Sequence, residues 1–256
     1  MDFINHTLYT KCEDLKRLKF IQDNVEEQQH KPLEILEVGC GNGNMSFQLA
    51  QIGHKVTGID LSNESIAFAK KTFKNTNLQF YAKAAEDIIG YQLYDVILCS
   101  EVLEHLYHPD QVLVHLNRML RTNGIAIITV PNGKGPRERL ITKPIQRMKE
   151  NGGSLWKLVS WVKLKLGYKG TTIQSESTSL EHIQFFSLKN LKELASSTGF
   201  EIYKINSANF IEAVFPFSLV TKVFKPLQKF DCMLADKLPV TWSSGFYTVM
   251  HKKNQK

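Results

Sequence analysis

The 256-residue sequence predicts an α/β protein with a doubly wound, mostly parallel sheet and helices on both faces. Short apolar segments alternate with amphipathic ones, and this alternation forces the strands to lie parallel beneath covering helices. A glycine-rich turn follows the first apolar segment, and an acid ends the second. Both features belong at the carboxyl ends of parallel strands, where open sheets bind their ligands.

The remaining elements follow along the chain. Residues 8–27 carry apolar side chains at helical spacing and predict a lead-in helix that ends before Pro32. Further helices are predicted from the glycine-rich turn to Gly53 and from Ser62, as N-cap, to about Phe73. Another is predicted over residues 187–198, before Gly199. Helical segments are also predicted between the third and fourth and between the fourth and fifth of the strands given next. Strands are predicted at residues 34–38, 55–59, 78–82, 95–99, 125–130, 200–205 and 245–251.

Two long insertions interrupt this alternation within a single domain of residues 1–256, at 132–186 and 209–243. Long segments at strand ends typically form substrate walls, so we expect a helical lid. In the first insertion, residues 155–166 form an apolar stripe with two tryptophans, which fits a lid better than a helix lying in a membrane interface. The aromatic residues of the second insertion fit an acceptor wall or a plain core.

Charge is distributed unevenly along the chain. The formal net charge is +7, and residues 132–186 hold ten basic against four acidic residues. Such a segment can face an anionic substrate, an anionic membrane or only solvent. The four cysteines form no Cys-x-x-Cys pair, so neither zinc nor disulfides are expected. No apolar stretch reaches the roughly 20 residues of a membrane span, and we expect a cytoplasmic protein, either free or peripheral to a membrane.

The turn after strand one reads Gly-Cys-Gly-Asn-Gly, and Glu37 lies two residues before it. Glycines at 39, 41 and 43 let the main chain approach a ligand closely, and Asp60 at the tip of strand two can accept both hydroxyls of a ribose. A dinucleotide site needs a further glycine where Asn44 stands. The charge of Glu37 repels a pyrophosphate but attracts a ligand with ammonium and sulfonium groups. The pattern therefore favours an adenosine cofactor other than a dinucleotide.

This run resembles motif I of the class I S-adenosylmethionine-dependent methyltransferases, and the resemblance covers about residues 33–131 and, more loosely, 182–200. It implies a Rossmann-like, seven-stranded sheet with an antiparallel last strand, S-adenosylmethionine as cofactor, S-adenosylhomocysteine as product, and no metal. One departure is Ala84, where many relatives have an acid. The expected cofactor-binding residues are Glu37, Gly39, Cys40, Gly41, Gly43, Asp60, Leu61, Ala85, Glu86, Asp87, Ser100 and Glu101.

Residues 95–109, Asp-Val-Ile-Leu-Cys-Ser-Glu-Val-Leu-Glu-His-Leu-Tyr-His-Pro, resemble the corresponding motif of quinone-biosynthesis O-methyltransferases and their small-molecule relatives. Enzymes that methylate a base or a glutamine usually carry an Asn-Pro-Pro-Tyr sequence at this place. Here residues 100–103 read Ser-Glu-Val-Leu, which disfavours a flipped-base mechanism and nucleic acid as a partner. We therefore expect a small-molecule acceptor, with anionic and lipid-linked acceptors as open alternatives.

Two histidines are candidate general bases for an acceptor hydroxyl, because imidazole titrates near neutral pH. His182 lies in a His-x-x-Phe segment that, in the resembled family, returns to the rim of the active site, so it is preferred over His105. The alternative for His182 is a role in positioning its loop. The alternative for His105 is a hydrogen bond to the backbone.

The predicted function is methyl transfer from S-adenosylmethionine to a small-molecule, glycan or lipid-linked acceptor, at oxygen. The alternatives are methylation of a small metabolite at nitrogen and a non-catalytic module that only binds the cofactor. An NAD-dependent oxidoreductase is disfavoured, because the sequence lacks both the further glycine and a Tyr-x-x-x-Lys set.

Overall fold

A computed structural model of the chain describes Tyr9 and residues 11–28, 32–136, 138–144, 147, 182–211, 214, 217, 220–221 and 224–253. Within these residues seven strands form one sheet. The strands are β1 (Glu34–Val38), β2 (Lys55–Asp60), β3 (Leu78–Ala82), β4 (Tyr94–Ser100), β5 (Leu120–Pro131), β6 (Phe200–Ser207) and β7 (Gly245–Lys252). Every strand overlaps its predicted range, and the differences lie at the strand ends.

Six α-helices lie among the described residues: α1 (Cys12–Glu26), α2 (Asn44–Gln51), α3 (Asn63–Thr72), α4 (Pro109–Met119), α5 (Leu188–Ser197) and α6 (Lys225–Lys237). The hydroxyl of Ser62 accepts a hydrogen bond from the backbone N–H of Ser65 at 3.1 Å, and Ser187 does the same for Asn190 at 3.2 Å. These bonds satisfy backbone donors that a helix start leaves unpaired. The predicted N-cap Ser62 is confirmed, and Ser187 is an N-cap that the structure adds.

The strand order is β3-β2-β1-β4-β5-β7-β6, and the first five strands in this order are parallel. Strand β7 runs antiparallel between β5 and β6, which confirms the expected antiparallel last strand. The order reverses at β1, whose neighbours are β2 and β4. Residues after these three strands therefore meet at one edge, at the switch point where open sheets bind ligands.

The core is divided between the two faces of the sheet. Side chains alternate along β1, so that Leu36 and Val38 pack with the face covered by α4 and α5. Ile35 packs on the opposite face with residues of α1 and α2. The same alternation turns Glu37, which shares the parity of Ile35, toward the side of α1 and α2.

The connection from β3 to β4 differs from the prediction. A helix was expected there, but the structure has only a three-residue 3-10 turn at Ala85–Asp87. Positive φ angles at Gly90 and Gln92 interrupt any helical run, and Ile89 is almost fully exposed. The segment therefore has no buried apolar stripe to hold a helix on the sheet.

The second predicted insertion contains α6, which packs on α1. Lys16 of α1 donates to the carbonyl oxygens of Ala208 at 2.7 Å and Cys232 at 3.1 Å. Phe224 and Phe230 are more than half exposed, so they are not core residues. The amphipathic stretch 155–166 lies outside the described residues, and the lid stays a prediction. No helix in the described part of the chain is long and apolar enough to cross a membrane.

The start of α2 lies against β3 through a glycine. Gly43 has φ +79°, and a Cβ built on it would stand 2.5 Å from the ring of Phe80 and 2.9 Å from the Cβ of Ala69. A glycine is therefore required here both by the left-handed backbone and by the close approach of helix and strand. The contact that we expect between the Gly43 backbone and a cofactor is not tested by this packing and stays a prediction.

We expect Gly43→Ala to destabilise the fold more than Gly53→Ala does. Both glycines have positive φ, +79° and +96°, so each alanine carries left-handed strain of about 1–2 kcal/mol. Only the alanine at 43 also collides with Phe80, which adds about 1–3 kcal/mol of overpacking, while no described atom lies within 4 Å of a Cβ at Gly53. Urea unfolding of the two variants measures the difference, and equal losses would contradict the packing role of Gly43.

Candidate functional site

The glycine-rich turn is held against β2 and the loop after β4. The backbone N–H of Cys40 donates to the carbonyl of Ile59 at 2.9 Å. Gly39 has φ +69°, and a Cβ on it would stand 2.3 Å from the side chain of Val102. The turn thus leaves no room for a larger residue at 39, and Cys40 is buried.

Asp60 ends β2 directly beside this turn. One carboxylate oxygen accepts from the backbone N–H of Gly41 and the other from that of Ser62, each at 2.8 Å. A carboxylate oxygen can accept two hydrogen bonds, so each keeps capacity for a ligand hydroxyl. The next side chain, Leu61, is 74% exposed and offers an apolar surface beside the acid. Asp60 is therefore oriented by backbone bonds toward the edge where the sequence predicts a ribose.

Glu37 lines a pocket beside the glycine-rich turn. It is only 4% exposed, and the hydroxyl of Ser46 donates a hydrogen bond to it. Burial raises the pKa of Glu37 to about 7, against the lowering effect of the Ser46 bonds. The residues that line the pocket are Tyr9, Arg17, Glu37, Gly39, Cys40, Asn42, Asn44, Met45 and Ser100.

Arg17 and Tyr9 line this pocket although neither was predicted as a site residue. Arg17 is 5% exposed and forms ion pairs with Asp14 at 2.9 Å and with Glu101 at 3.6 Å. Its position four residues before Ile21 places it on the apolar stripe of α1. A charged residue on a buried stripe was the available signal, because such a residue needs a buried partner.

The residues expected to border the adenine, Ala85, Glu86 and Asp87, differ in their exposure to solvent. Ala85 is buried, whereas Glu86 and Asp87 are exposed. The carboxylate of Asp87 accepts from the backbone N–H of Ala84 at 3.1 Å and closes the short 3-10 turn. Ala85 is thus the member of this trio that lies inward, and the adenine contacts stay a prediction.

The loop after β4 begins with a strained residue. Glu101 has φ +56°, a left-handed conformation that costs a non-glycine residue about 1–3 kcal/mol. Its carboxylate accepts from the hydroxyl of Thr129 at 2.9 Å, and the Ser100 hydroxyl lies 2.9 Å from the same oxygen of Thr129. These bonds and the Arg17 ion pair hold Glu101 against the strain, at the mouth of the pocket.

The two candidate bases, His105 and His182, lie next to one another. Their ring centroids are 5.2 Å apart in an edge-to-face arrangement. The segment after His182 is fastened to the β4 loop, because the backbone N–H groups of Ile183 and Gln184 donate to the carbonyl of Glu104 at 2.7 and 2.9 Å. Two segments far apart in sequence thereby lie side by side, and a place for His182 at the rim of the active site stays a prediction.

Each histidine lies beside a buried carboxylate. Nδ1 of His182 is 3.5 Å from Glu138, which belongs to a π-helical turn at Glu138–Thr142, and Nε2 of His105 is 3.8 Å from Glu104. Burial raises the pKa of Glu104 well above its usual range, and the nearby charge of Glu101 raises it further. Sequence reasoning predicted neither Glu104 nor Glu138 as a site residue. Glu104 directly precedes His105 in the sequence, whereas only the fold places Glu138 beside His182.

Among the described residues, the two histidines and Glu104 also have the spacing of metal ligands. Glu104, His105 and His182 each offer a ligand atom, and these atoms lie within 4.8 Å of one another. Imidazole and carboxylate suit several divalent metals. The expectation that the protein uses no metal is not tested by this geometry and stays a prediction.

Comparison with known proteins shows that the chain has relatives of similar sequence. A family model described as a methyltransferase domain matches residues 6–205. The ubiquinone biosynthesis O-methyltransferase of Rickettsia akari (strain Hartford) is 34% identical over 121 residues, which cover 45% of this chain and 48% of the relative. The Rickettsia canadensis (strain McKiel) protein of the same name is 34% identical over 127 residues, 47% of this chain and 53% of the relative. The chain spans about half the length of the curated relatives it matches.

Solved structures share the fold at low sequence identity. An S-adenosylmethionine-dependent methyltransferase from Mesorhizobium loti has a TM-score of 0.57 at 12% identity, covering 92% of this chain and 98% of the other. The Burkholderia thailandensis 1,6-didemethyltoxoflavin-N1-methyltransferase, solved with S-adenosylhomocysteine, has a TM-score of 0.56 at 14% identity, covering 95% and 80%. The expected Rossmann-like fold is confirmed, and the family model extends over most of the chain. The chain therefore belongs to the methyltransferase-domain family, within the class I S-adenosylmethionine-dependent methyltransferases.

Proposed function

We propose that the protein transfers a methyl group from S-adenosylmethionine to an oxygen atom of a small-molecule acceptor. The observation that carries this proposal is a pocket with oriented groups for each end of the cofactor. Asp60 lies at one side, Glu37 and Arg17 lie at the floor and wall, and the paired histidines stand beyond Glu101. Bound S-adenosylmethionine supplies an electrophilic methyl group on a sulfonium.

The charges of the pocket match those of an amino-acid nucleoside. Asp60 is placed to accept hydrogen bonds from the ribose hydroxyls through the free capacity of its two oxygens. Glu37 is a buried acid suited to an ammonium group, and Arg17 is a buried cation suited to a carboxylate. The same residues suit a dinucleotide poorly, because a pyrophosphate would meet the carboxylate of Glu37.

The histidine pair supplies the acid–base chemistry of the proposal. A hydroxyl acceptor must lose its proton as oxygen attacks the methyl group, and His182 is the candidate that takes it. Glu138, 3.5 Å from Nδ1, is placed to hold the ring so that Nε2 is the basic nitrogen. Displacement at a methyl group depends mainly on alignment in a dry site, and the burial of Glu104 and Glu138 indicates that water has little access here.

Oxygen is preferred over nitrogen as the acceptor atom for two reasons. The curated relatives from Rickettsia are named as ubiquinone biosynthesis O-methyltransferases, although they match only half of their length. A hydroxyl also needs a base, and the site has two imidazoles where a neutral amine would need none. Small metabolites, glycans and lipid-linked intermediates stay possible acceptors within this proposal.

The proposal is tested by supplying the protein with isotopically labelled S-adenosylmethionine and a metabolite extract. Mass spectrometry is expected to find an acceptor that gains one labelled methyl group, and fragmentation locates it on oxygen or nitrogen. Cofactor binding by calorimetry without release of S-adenosylhomocysteine would instead support a non-catalytic module. Binding of NAD in preference to S-adenosylmethionine would overturn the cofactor assignment.

Replacement of Asp60 by alanine should weaken the binding of S-adenosylhomocysteine by roughly ten-fold or more, because two charge-assisted hydrogen bonds of about 1.5–3 kcal/mol each are lost. Calorimetry measures the affinity, and a melting curve checks that loss of the Gly41 and Ser62 bonds leaves the fold intact. Asp23→Ala is the control, since Asp23 is exposed and pairs with Lys19 on the surface of α1. Unchanged affinity in the Asp60 variant would count against the site.

The affinity for S-adenosylhomocysteine should rise with pH through about 7. Glu37 without ligand has a pKa of about 7, so below that pH the acid is largely protonated and its ionisation must accompany the binding of an ammonium group. Above pH 7 the carboxylate is already charged and the dependence flattens. Calorimetry at pH 6, 7 and 8 should show this rise in the native protein, and Glu37→Gln should lose it. The same pH dependence in both proteins would rule out contact with Glu37.

Substitution of His182 by glutamine is expected to lower kcat by about 100-fold or more, with little change in the affinity for S-adenosylhomocysteine. Glu138→Gln should lower kcat by about ten-fold at unchanged KM, because it orients the base without touching the acceptor. Initial rates with the acceptor found by mass spectrometry measure both effects. His251→Gln is the matched control, since His251 forms a surface pair with Glu201 at 3.6 Å. A fully active His182 variant would exclude it as the base.

A further inference from the structure

A second cavity lies after the end of β5, beside the turn Glu138–Thr142. It measures about 520 Å³. Its described lining comes from three places in the chain: the segment after β5, the residue Phe210 after β6, and the turn before β7. The end of β5 pairs with the start of β7 at Pro131 and Gly245, so these three segments converge beyond the carboxyl ends of the parallel strands.

The floor of this cavity is built from rigid backbone. Asn132 is buried, and its side-chain amide donates to the carbonyls of Thr241 at 2.9 Å and Ser243 at 2.8 Å. Its side-chain oxygen accepts from the backbone N–H of Lys134 at 3.0 Å. One buried side chain thereby fixes both segments that face each other across the cavity, so the hollow is formed before any ligand arrives.

The cavity combines two cations with an apolar surface. Lys134 and Arg139 line it, both are exposed, and neither has an ion pair with another described residue. Trp242 and Leu140 line it as well and are 57% and 64% exposed. Exposed large apolar side chains beside exposed cations, in a concave surface, are suited to a ligand that carries an anionic group on an apolar ring or chain.

The turn Glu138–Thr142 connects this cavity to the candidate base. Glu138 is fully buried and directed to His182, while Arg139 and Leu140, the next two residues, line the cavity. The same short turn thus carries the partner of the candidate base and two residues of the cavity wall. A ligand held by Lys134 and Arg139 would contact this turn, on which the position of His182 depends.

We propose that this cavity is the acceptor site and that the acceptor is an organic acid with an apolar ring or chain. The proposal rests on the proposed methyl transfer and names the substrate class of that site. Lys134 and Arg139 bind the acid group, and Trp242 covers the apolar part. The sequence left open whether the basic segment after β5 faces a substrate, a membrane or only solvent. The proposal assigns two residues of this segment, Lys134 and Arg139, to substrate recognition.

The test uses three probes with one skeleton: 4-phenylbutyrate, its neutral amide and 4-phenylbutylamine. Calorimetry on the native protein at low salt, with S-adenosylhomocysteine present, should show the carboxylate binding roughly five- to ten-fold more tightly than the amide, and the amine most weakly, as expected for two partly exposed charge pairs. Lys134→Gln with Arg139→Gln should abolish the preference for the carboxylate. Trp242→Ala should weaken all three probes alike.

Lys70→Gln with Lys71→Gln is the control, because it removes the same charge from the exposed end of α3 and should keep the preference. Unchanged affinity for S-adenosylhomocysteine in the Lys134 and Arg139 variant shows that the fold is intact. Equal binding of carboxylate and amide by the native protein, or a preference that survives in the double variant, would overturn the inference. If S-adenosylhomocysteine fails to bind while the charge preference holds, the cofactor proposal fails and the anion site stands.

Discussion

The parallel pairing of β1 with β2 on one side and β4 on the other is the constraint on which the site depends. Val38 is paired with Ile59 and with Cys99, so three chain segments leave the sheet at the same level. The glycine-rich turn, Asp60 and the loop of Glu101 are adjacent for this reason alone. A shift of register by one residue would reverse the faces of β1 and turn Glu37 away from α1 and α2.

Local patterns predicted the sheet, the N-cap Ser62 and the acid at the tip of β2, because these features depend on residues close together in sequence. Asp60 was found since strand, turn and acid lie within one βαβ unit. Arg17 and Glu138 could not be assigned in this way, because their roles depend on partners that lie 84 and 44 positions away. The helix predicted between β3 and β4 does not form, because Gly90 and the exposed apolar residues there provide no apolar face that could pack on the sheet.

Buried acids outnumber buried bases around the two histidines and the cofactor pocket. Glu37, Glu104 and Glu138 are all less than 5% exposed, and Arg17 is the buried cation that faces them among the described residues. Isolated buried carboxylates are costly unless they are protonated or paired. The raised pKa values of Glu37 and Glu104 express this cost. If both proposals hold, the buried acids suit the ammonium end of the cofactor, and Lys134 and Arg139 suit the acid group of the acceptor.

The attachment of α1 has a consequence for the order in which the molecule is completed. Lys16 bonds to Ala208 and Cys232, and the hydroxyl of Tyr247 donates to the carbonyl of Glu13 at 3.3 Å. Helix α1 precedes these three partners by 192, 216 and 234 positions in the chain. In a growing chain the helix that carries Arg17 can first pack on β1 and α2, and its bonds to the later segments form afterwards. The wall that Arg17 gives to the pocket is therefore fixed only after widely separated segments have met.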